Sequence, residues 1–235
     1  MWLRSLAFVL IQIVATPVYS VVALLTFPFS PLTRYRIISG WSRLMMWSLE
    51  RVCGVHYRVL GAENIPDEPF IVLAKHESAW ETLAFQVVLP PQVWVIKREL
   101  LWIPFFGWGL AMLSPIAIDR REGWRALRQT LDQGRERLAS GFNIVIFPEG
   151  TRSAPGVSGR YQAGGAWLAL QTGAPIVPIA HNAGDHWPRN SFLKYPGVVT
   201  ISIGPAVRPA AEKAPELASR IGEWIETETR RIRSS

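Results

Sequence analysis

Short β-rich runs alternate with helix-like segments from residue 65 onward, and this alternation limits the possible folds more than any other feature of the sequence. Six runs predict strands, at residues 70–74, 92–96, 115–118, 143–147, 175–180 and 198–203. Three segments predict helices, at residues 78–89, 122–139 and 212–233; the second has apolar residues near helical spacing and Gly141 as a stop. The alternation predicts an α/β fold, with a mostly parallel or mixed sheet flanked by helices.

The N-terminal segment carries no charged residue between positions 5 and 33. A run of about 20 apolar residues is long enough to cross a bilayer as a helix, so this segment predicts a membrane-embedded helical anchor. Pro17 interrupts the run and leaves three interpretations open. They are a single kinked span, two short helices that enter and leave the same leaflet, and a cleaved signal peptide; no clean small-residue cleavage site follows the run.

Arginines are distributed unevenly around this apolar run. Arg4 precedes it, whereas Arg34, Arg36 and Arg43 follow it. The positive-inside rule then places the rest of the chain on the cytoplasmic side, which we expect to be that of the cell inner membrane. We predict membrane-anchoring helices in residues 1–45 and an α/β domain in residues 46–235.

The composition excludes several classes of protein. Cys53 is the only cysteine, which rules out a disulfide framework and a cysteine-based zinc site within one chain; we predict that it is a packing residue. The formal net charge of +7 fits an anionic lipid surface better than nucleic acid, because no basic stripe with interleaved aromatic residues occurs. His181, Asp185 and His186 are spaced poorly for one helix face, so no metal site is predicted.

The first polar cluster is HESAWE, residues 76–81, which follows a predicted strand. Ser78 and Glu81 fit a capping box, in which the serine caps a helix and the glutamate bonds back to it. Five residues turn about 500° along a helix, so His76 and Glu81 can meet only if His76 lies before the helix. The cap predicts that placement, and a carboxylate there would fix the imidazole tautomer. A helix cap and a His–Glu pair are therefore compatible interpretations.

The second cluster is FPEGTRS, residues 147–153, after another predicted strand. Gly150 allows a ligand to approach the backbone closely, Thr151 adds a hydroxyl, and Arg152 offers a planar fork for phosphate oxygens. A surface turn would use the same Pro-Glu-Gly sequence.

Two further cations, Lys97 and Arg120, each follow another apolar run. The apolar residues between positions 100 and 108 fit an acyl tunnel, ordinary core or a membrane-contact surface. The sequence contains no Walker A motif, no serine nucleophile elbow and no complete dinucleotide fingerprint.

Taken in order, HESAWE, KRELLWIPFFGWGL with IDR, FPEGTRS and IVPI resemble the four sequence blocks of the glycerolipid acyltransferases. The blocks extend from residue 70 to about residue 180. In the first block the chain departs from the family's usual H-x4-D pattern, because Glu81, which is one methylene longer, stands where that pattern has aspartate.

The resemblance implies direct transfer of an acyl chain from acyl-CoA or an acyl carrier protein thioester, without a cofactor. The acceptor would be the sn-2 hydroxyl of 1-acyl-sn-glycerol-3-phosphate in the bilayer, and the product phosphatidate. His76 would act as general base and Glu81 would orient it. The resemblance implies a phosphate-binding set consisting of Lys97, Arg120, Glu149, Gly150, Thr151 and Arg152. Three alternatives stay open: a different lysolipid acceptor, a non-catalytic membrane lipid-binding protein, and a lipid hydrolase.

Overall fold

A mixed sheet forms the centre of the structure, a computed structural model that describes residues 1–119 and 122–234. Within these ranges the sheet has seven strands: β1 (Val55–Leu60), β2 (Ile71–Ala74), β3 (Gln92–Lys97), β4 (Ile116–Ile118), β5 (Asn143–Ile146), β6 (Ile176–His181) and β7 (Gly197–Ile203). Their spatial order is β1-β7-β6-β2-β5-β3-β4. All neighbouring pairs are parallel except β6 and β7, which are antiparallel. The predicted α/β fold with a mostly parallel, mixed sheet is confirmed.

Helices surround this sheet. They are α1 (Trp2–Leu25), α2 (Pro31–Ile38), α3 (Gly40–Ser48), α4 (Trp80–Val88), α5 (Phe106–Met112), α6 (Trp124–Ala139), α7 (Gly164–Thr172), α8 (Ala183–His186) and α9 (Ala214–Ser234). A π-helical turn, Leu49–Cys53, follows α3, and 3-10 turns occupy Ala62–Asn64 and Arg98–Trp102.

The central strand β2 separates two apolar cores. Its alternate residues face opposite sides, with Val72 and Ala74 in one core and Ile71 and Leu73 in the other. All four residues of β2 are buried, as expected for a strand covered on both faces. The neighbouring parallel strand β5 ends at the same edge of the sheet as β2. Polar residues that follow β2 and β5 therefore lie close together, which is where ligands bind in such sheets.

Several elements were not predicted from the sequence, among them strand β1 and helix α7. Strand β1 alternates buried and exposed positions and carries His56 and Arg58, so it lacks the apolar run that marks the other strands. Helix α7 begins at Gly164-Gly165, residues typical of a turn. A β-carbon at Gly165 would lie 2.5 Å from the Leu73 side chain, so this glycine allows α7 to pack closely on β2.

The N-terminal apolar segment forms one continuous helix, α1, that contains Pro17. It is long and apolar enough to cross a membrane, and only 17% of its most apolar window is buried. Its inner face is integrated into the fold, because Phe8 lies in the same core as Met45 and Val72. The Ser20 hydroxyl of α1 donates a hydrogen bond to the Phe105 carbonyl before α5, at 2.7 Å.

Candidate active site

His76 lies in the turn between β2 and α4, before the helix as the capping pattern predicts. Its Nδ1 is 2.8 Å from Glu81 Oε1, and its ring stacks on Phe147 with centroids 3.9 Å apart. The Glu81 carboxylate accepts this hydrogen bond, so we assign the imidazole proton to Nδ1. Nε2 then keeps its lone pair. The His76 side chain is 15% exposed and lines a cavity, which gives this nitrogen access to a ligand.

Glu81 is fully buried and serves both the histidine and the helix start. Its Oε1 also accepts the backbone N–H groups of Glu77 at 3.0 Å and Ser78 at 2.9 Å. Burial by itself would raise the pKa of Glu81. The hydrogen bond from His76, the electrostatic interactions with His181 and His76, and the hydrogen bond from the Ser78 amide together lower it below its ordinary value. Glu81 is therefore a carboxylate at neutral pH.

The helix cap differs in detail from the predicted capping box. Helix α4 begins at Trp80, so Ala79 rather than Ser78 occupies the N-cap position. The Ser78 hydroxyl accepts the Trp80 N–H at 3.0 Å, and Glu81 bonds back to the Ser78 amide. Both side chains therefore stabilise the helix start, which lies one residue later than expected.

Glu149 lies behind His76 instead of facing the cavity. Its side chain is 2% exposed, and Oε1 accepts the backbone N–H of His76 at 2.9 Å. Oε2 lies 3.4 Å from the Lys75 ammonium. From the same loop, Ser153 donates its backbone N–H to the His76 carbonyl at 2.8 Å. The loop after β5 thus holds both backbone polar groups of His76.

A cavity of about 530 Å³ joins His76 to most of the predicted phosphate-binding residues. Lys97, Gly150, Thr151 and Arg152 line it, whereas Arg120 lies outside the described residues. Much of its wall is apolar and comes from Leu83, Trp94, Ile96, Leu100, Phe106, Leu110 and Leu113. Helix α1 completes the wall with polar side chains, Gln12, Thr16, Tyr19 and Ser20.

The cationic end of the cavity has unused hydrogen-bonding capacity. Arg152 is half-buried, and its Nε has no hydrogen-bond partner within the described residues. Arg189 and Asn190 also line the cavity, and Arg189 donates to the Arg152 carbonyl at 2.6 Å. Neither was predicted, because they lie in an irregular loop. The only local signal is that Asn190 adopts a left-handed conformation, with φ of 58°.

The histidines considered for a metal site have other partners. His181 is fully buried; its Nε2 donates to the Lys75 carbonyl at 2.8 Å, and its Nδ1 accepts the Ala183 N–H at 3.2 Å. Asp185 pairs with Arg233. In the described part of the chain, no group of three or more His, Cys, Asp or Glu side chains could hold a metal ion.

Cys53 is buried, which raises the pKa of its thiol despite the opposing charges of Lys194 and Arg4. A raised thiol pKa disfavours the nucleophilic thiolate. The position agrees with the predicted packing role.

Comparison with known proteins places this site in a family. The family profile described as Acyltransferase matches residues 56–182. The 1-acyl-sn-glycerol-3-phosphate acyltransferase of Pseudomonas aeruginosa is 42% identical over 228 residues, which cover 95% of this chain and 89% of that protein. This chain belongs to the acyltransferase family.

More distant members of the acyltransferase family align over less of the chain or share only the fold. The human 1-acyl-sn-glycerol-3-phosphate acyltransferase alpha is 33% identical over 139 residues, 58% of this chain and 49% of that protein. The crystal structure of the 1-acyl-sn-glycerophosphate (LPA) acyltransferase PlsC from Thermotoga maritima superposes with a TM-score of 0.81. It is 24% identical and covers 99% of this chain and 97% of that one. The present chain therefore has the same fold as that structure over nearly its whole length.

Proposed function

We propose that this protein transfers an acyl chain from a thioester to the sn-2 hydroxyl of 1-acyl-sn-glycerol-3-phosphate and so forms phosphatidate. One observation carries the proposal: a carboxylate-bound histidine, a set of cations and an apolar wall line the same cavity. The proposed acceptor has three matching parts, a hydroxyl, a phosphomonoester and an acyl chain. The relative from Pseudomonas aeruginosa, named for this reaction, supports the assignment.

His76 is the general base in this proposal. Its Nε2 takes the proton of the sn-2 hydroxyl while the oxygen attacks the thioester carbonyl. A new C–O bond forms, the C–S bond breaks, and the thiolate leaves with the proton held by the imidazolium. An imidazole that keeps a free lone pair can act as a base at neutral pH, and Glu81 stabilises the positive charge that develops on the His76 ring. No covalent enzyme intermediate and no cofactor are needed.

The lysolipid phosphate binds at the cationic end in this proposal. Arg152 supplies a planar pair of donors, and Thr151 and Lys97 add a hydroxyl and an ammonium group. Gly150, whose N–H donates to the Phe147 carbonyl, leaves room for the phosphate to approach the backbone. Arg120 lies outside the described residues, so its proposed phosphate contact rests on the family resemblance alone. Glu149 takes a different part from the one that the family resemblance implied, because its buried carboxylate holds the His76 backbone and would repel a phosphate.

The exposed apolar surface supports attachment to a bilayer. On α1, exposed residues include Leu3, Leu10, Ile13, Val14, Val18 and Val21. The segment before and within α5 adds Trp102, Ile103, Phe105, Phe106 and Trp108, and the bond between Ser20 and Phe105 joins the two surfaces. We propose that residues 1–45 anchor the protein in the inner membrane and that residues 46–235 face the cytoplasm. There the acceptor arrives from the bilayer, and acyl-CoA or acyl carrier protein brings the chain from the water phase.

The test is acyl transfer from labelled acyl-CoA, and separately from acyl carrier protein, by the protein in phospholipid vesicles. We expect phosphatidate from lysophosphatidate and much slower reaction with 1-monoacylglycerol or lysophosphatidylcholine, which lack a phosphomonoester. His76→Ala is the matched inactive variant. Equal rates with all three acceptors would overturn the phosphate assignment, and release of free fatty acid without acceptor would indicate a hydrolase.

A further inference from the structure

We propose that the C-terminal helix α9 positions His76 through two buried ion pairs, one on each side of the histidine in the sequence. Lys75 pairs with Glu226, and Glu77 pairs with Arg233. This inference rests on the proposed role of His76 as the base. It assigns a positioning role to these four residues, none of which lines the acceptor cavity.

The residues flanking His76 point away from the cavity. The side chains of Lys75 and Glu77 are 1% and 0% exposed, respectively. In an extended segment successive side chains alternate in direction, so His76 faces the cavity while its two neighbours face α9. A displacement of either neighbour must therefore move the backbone that carries the histidine.

The pair on the N-terminal side is densely bonded. The Lys75 ammonium donates to Glu226 Oε1 at 2.7 Å and to the Val157 carbonyl at 2.9 Å. Glu226 is fixed in turn by the Tyr161 hydroxyl at 3.0 Å and the Ser158 hydroxyl at 2.9 Å. The same ammonium lies 3.4 Å from Glu149, the carboxylate that accepts the His76 amide.

The pair on the C-terminal side has the opposite polarity. Arg233 donates to Glu77 Oε2 at 2.7 Å, and Asp185 orients the guanidinium through its Nε at 3.1 Å. Burial raises the pKa of Glu77, and the electrostatic interaction with His181 and the hydrogen bond from Arg233 oppose that shift. The short contact with the Arg233 guanidinium favours the ionised form of Glu77.

The geometry and the energetics of the two ion pairs indicate that they position the His76 segment and are not needed to pack α9. Glu226 and Arg233 are seven residues apart, two turns of helix, so they lie on one face of α9. The apolar residues Leu217, Ile221, Ile225 and Ile232 already bury that helix against the sheet. Buried ion pairs commonly add little stability over apolar residues of similar size, whereas breaking one is costly. Their effect here is on the geometry of the segment between them.

The positioning role predicts a change in rate with little change in acceptor binding. Without Arg233, the buried Glu77 loses its countercharge and the turn moves, which lengthens the contact between His76 Nδ1 and Glu81. A misplacement of about 1 Å can reduce a rate by about 100-fold. The KM for lysophosphatidate should change less than kcat, because Lys97 and Arg152 lie outside the displaced turn and only Glu149 and Ser153 connect the Arg152 loop to the His76 backbone.

The first arm of the experiment is steady-state kinetics in vesicles for Arg233→Gln, Arg233→Lys and the double variant Glu77→Gln, Arg233→Gln. We expect kcat to fall by about 10- to 100-fold in Arg233→Gln. The lysine variant should recover part of the rate because it restores the charge. The double variant should also recover part of it, because no buried charge is left unpaired. Arg231→Gln is the matched control, since Arg231 lies on the exposed side of the same helix and pairs only with Glu228 among the described residues.

The second arm reads the position of His76 without catalysis. Protein labelled with ¹⁵N-histidine gives a signal for the Nδ1–H bonded to Glu81, assigned by its loss in His76→Ala. We expect this signal to shift or broaden in Arg233→Gln and to stay unchanged in Arg231→Gln. An unchanged signal in Arg233→Gln overturns the inference, whatever the rate. If wild type transfers no acyl chain but the signal shifts, the proposed function fails while the positioning by α9 holds.

Discussion

The two ends of the cavity are built in opposite ways. At the His76 end, the ring is bonded to Glu81, the backbone N–H to Glu149 and the carbonyl to Ser153. At the cationic end, Lys97 is exposed and the Arg152 Nε has no partner within the described residues. The protein itself thus holds the ring and backbone of His76, although Glu81 Oε2 has no partner within the described residues, whereas no protein group bonds the Arg152 Nε there.

This difference follows from what each end must do. A general base must already have the correct tautomer and position when the hydroxyl arrives, so its bonds are made within the protein. A residue that binds phosphate gains its hydrogen-bond partner from the substrate. Bonds that it made beforehand within the protein would have to be broken first. We therefore expect substitutions at the His76 end to lower kcat and substitutions at the cationic end to raise KM.

The largest effect should come from His76→Ala. General base catalysis typically contributes about 10²–10⁴-fold, so kcat should fall by that factor. Initial rates of phosphatidate formation measure it, and lysophosphatidate binding should persist. A variant that retains more than half of the wild-type kcat would remove His76 from the chemistry.

Glu81→Gln should have the next largest effect. Glutamine can still accept the amides that start α4, so the fold should persist, but a neutral amide no longer stabilises the imidazolium. An equivalent change in a serine protease triad costs about 10⁴-fold, and we expect a loss of kcat of at least about 10²-fold. Glu81→Asp keeps the charge with a shorter reach and should lose less. Full activity in Glu81→Gln would show that Glu81 is only a helix cap.

Arg152→Ala should act on the acceptor. Hydrogen bonds to charged groups are worth about 1.5–3 kcal/mol, so kcat/KM for lysophosphatidate should fall by about 10- to 100-fold, mainly through KM. Arg152→Lys keeps the charge without the planar fork and should lie between the two. The reaction with 1-monoacylglycerol is the control. An equal loss with that acceptor would mean that Arg152 acts on something other than phosphate.

The pH dependence of stability should show that the buried Glu81 side chain is ionised. The pKa of Glu81 lies below its ordinary value of 4.5, so the ionised group stabilises the fold above that pH. This contribution disappears as the pH falls through the lowered pKa. Glu81→Gln should therefore be less stable than wild type at neutral pH, and the difference in Tm should shrink at about pH 4 and below. A difference that grows on acidification would contradict the assigned charge.

The smallest effect should be on membrane attachment. Trp102 is 74% exposed, and removing its side chain in Trp102→Ala should weaken partition into anionic vesicles by about 1 kcal/mol, or roughly fivefold. Vesicle sedimentation measures this, and Trp102→Phe should bind nearly as wild type. Unchanged partition in the alanine variant would show that the surface around α5 does not contribute to membrane binding, in contrast to α1.

The sequence predicted the local part of this site better than the distant part. His76 and Glu81 lie within six residues, and the capping pattern already placed the histidine before the helix. The contact between His76 and Glu149 depends on β2 and β5 being neighbours, which no local pattern reveals. The family resemblance implies a phosphate contact for Glu149, whereas its side chain faces the backbone of His76.

Longer-range partners were missed for the same physical reason. Lys75 and Glu226 are separated by 151 residues, and Glu77 and Arg233 by 156. Each residue in isolation matches an ordinary surface charge. Only the packing of α9 against the end of the sheet brings them together and buries them. Strand β1 was missed because half of its positions face solvent, which removes the apolar run used to recognise a strand.

The most direct test of the difference between the two ends is equilibrium binding of lysophosphatidate and 1-monoacylglycerol to His76→Ala and Arg152→Ala in vesicles without acyl donor. We predict that His76→Ala binds lysophosphatidate as tightly as wild type and keeps its preference over 1-monoacylglycerol. Arg152→Ala should lose most of that preference. Loss of the preference in His76→Ala, with full preference in Arg152→Ala, would contradict the account.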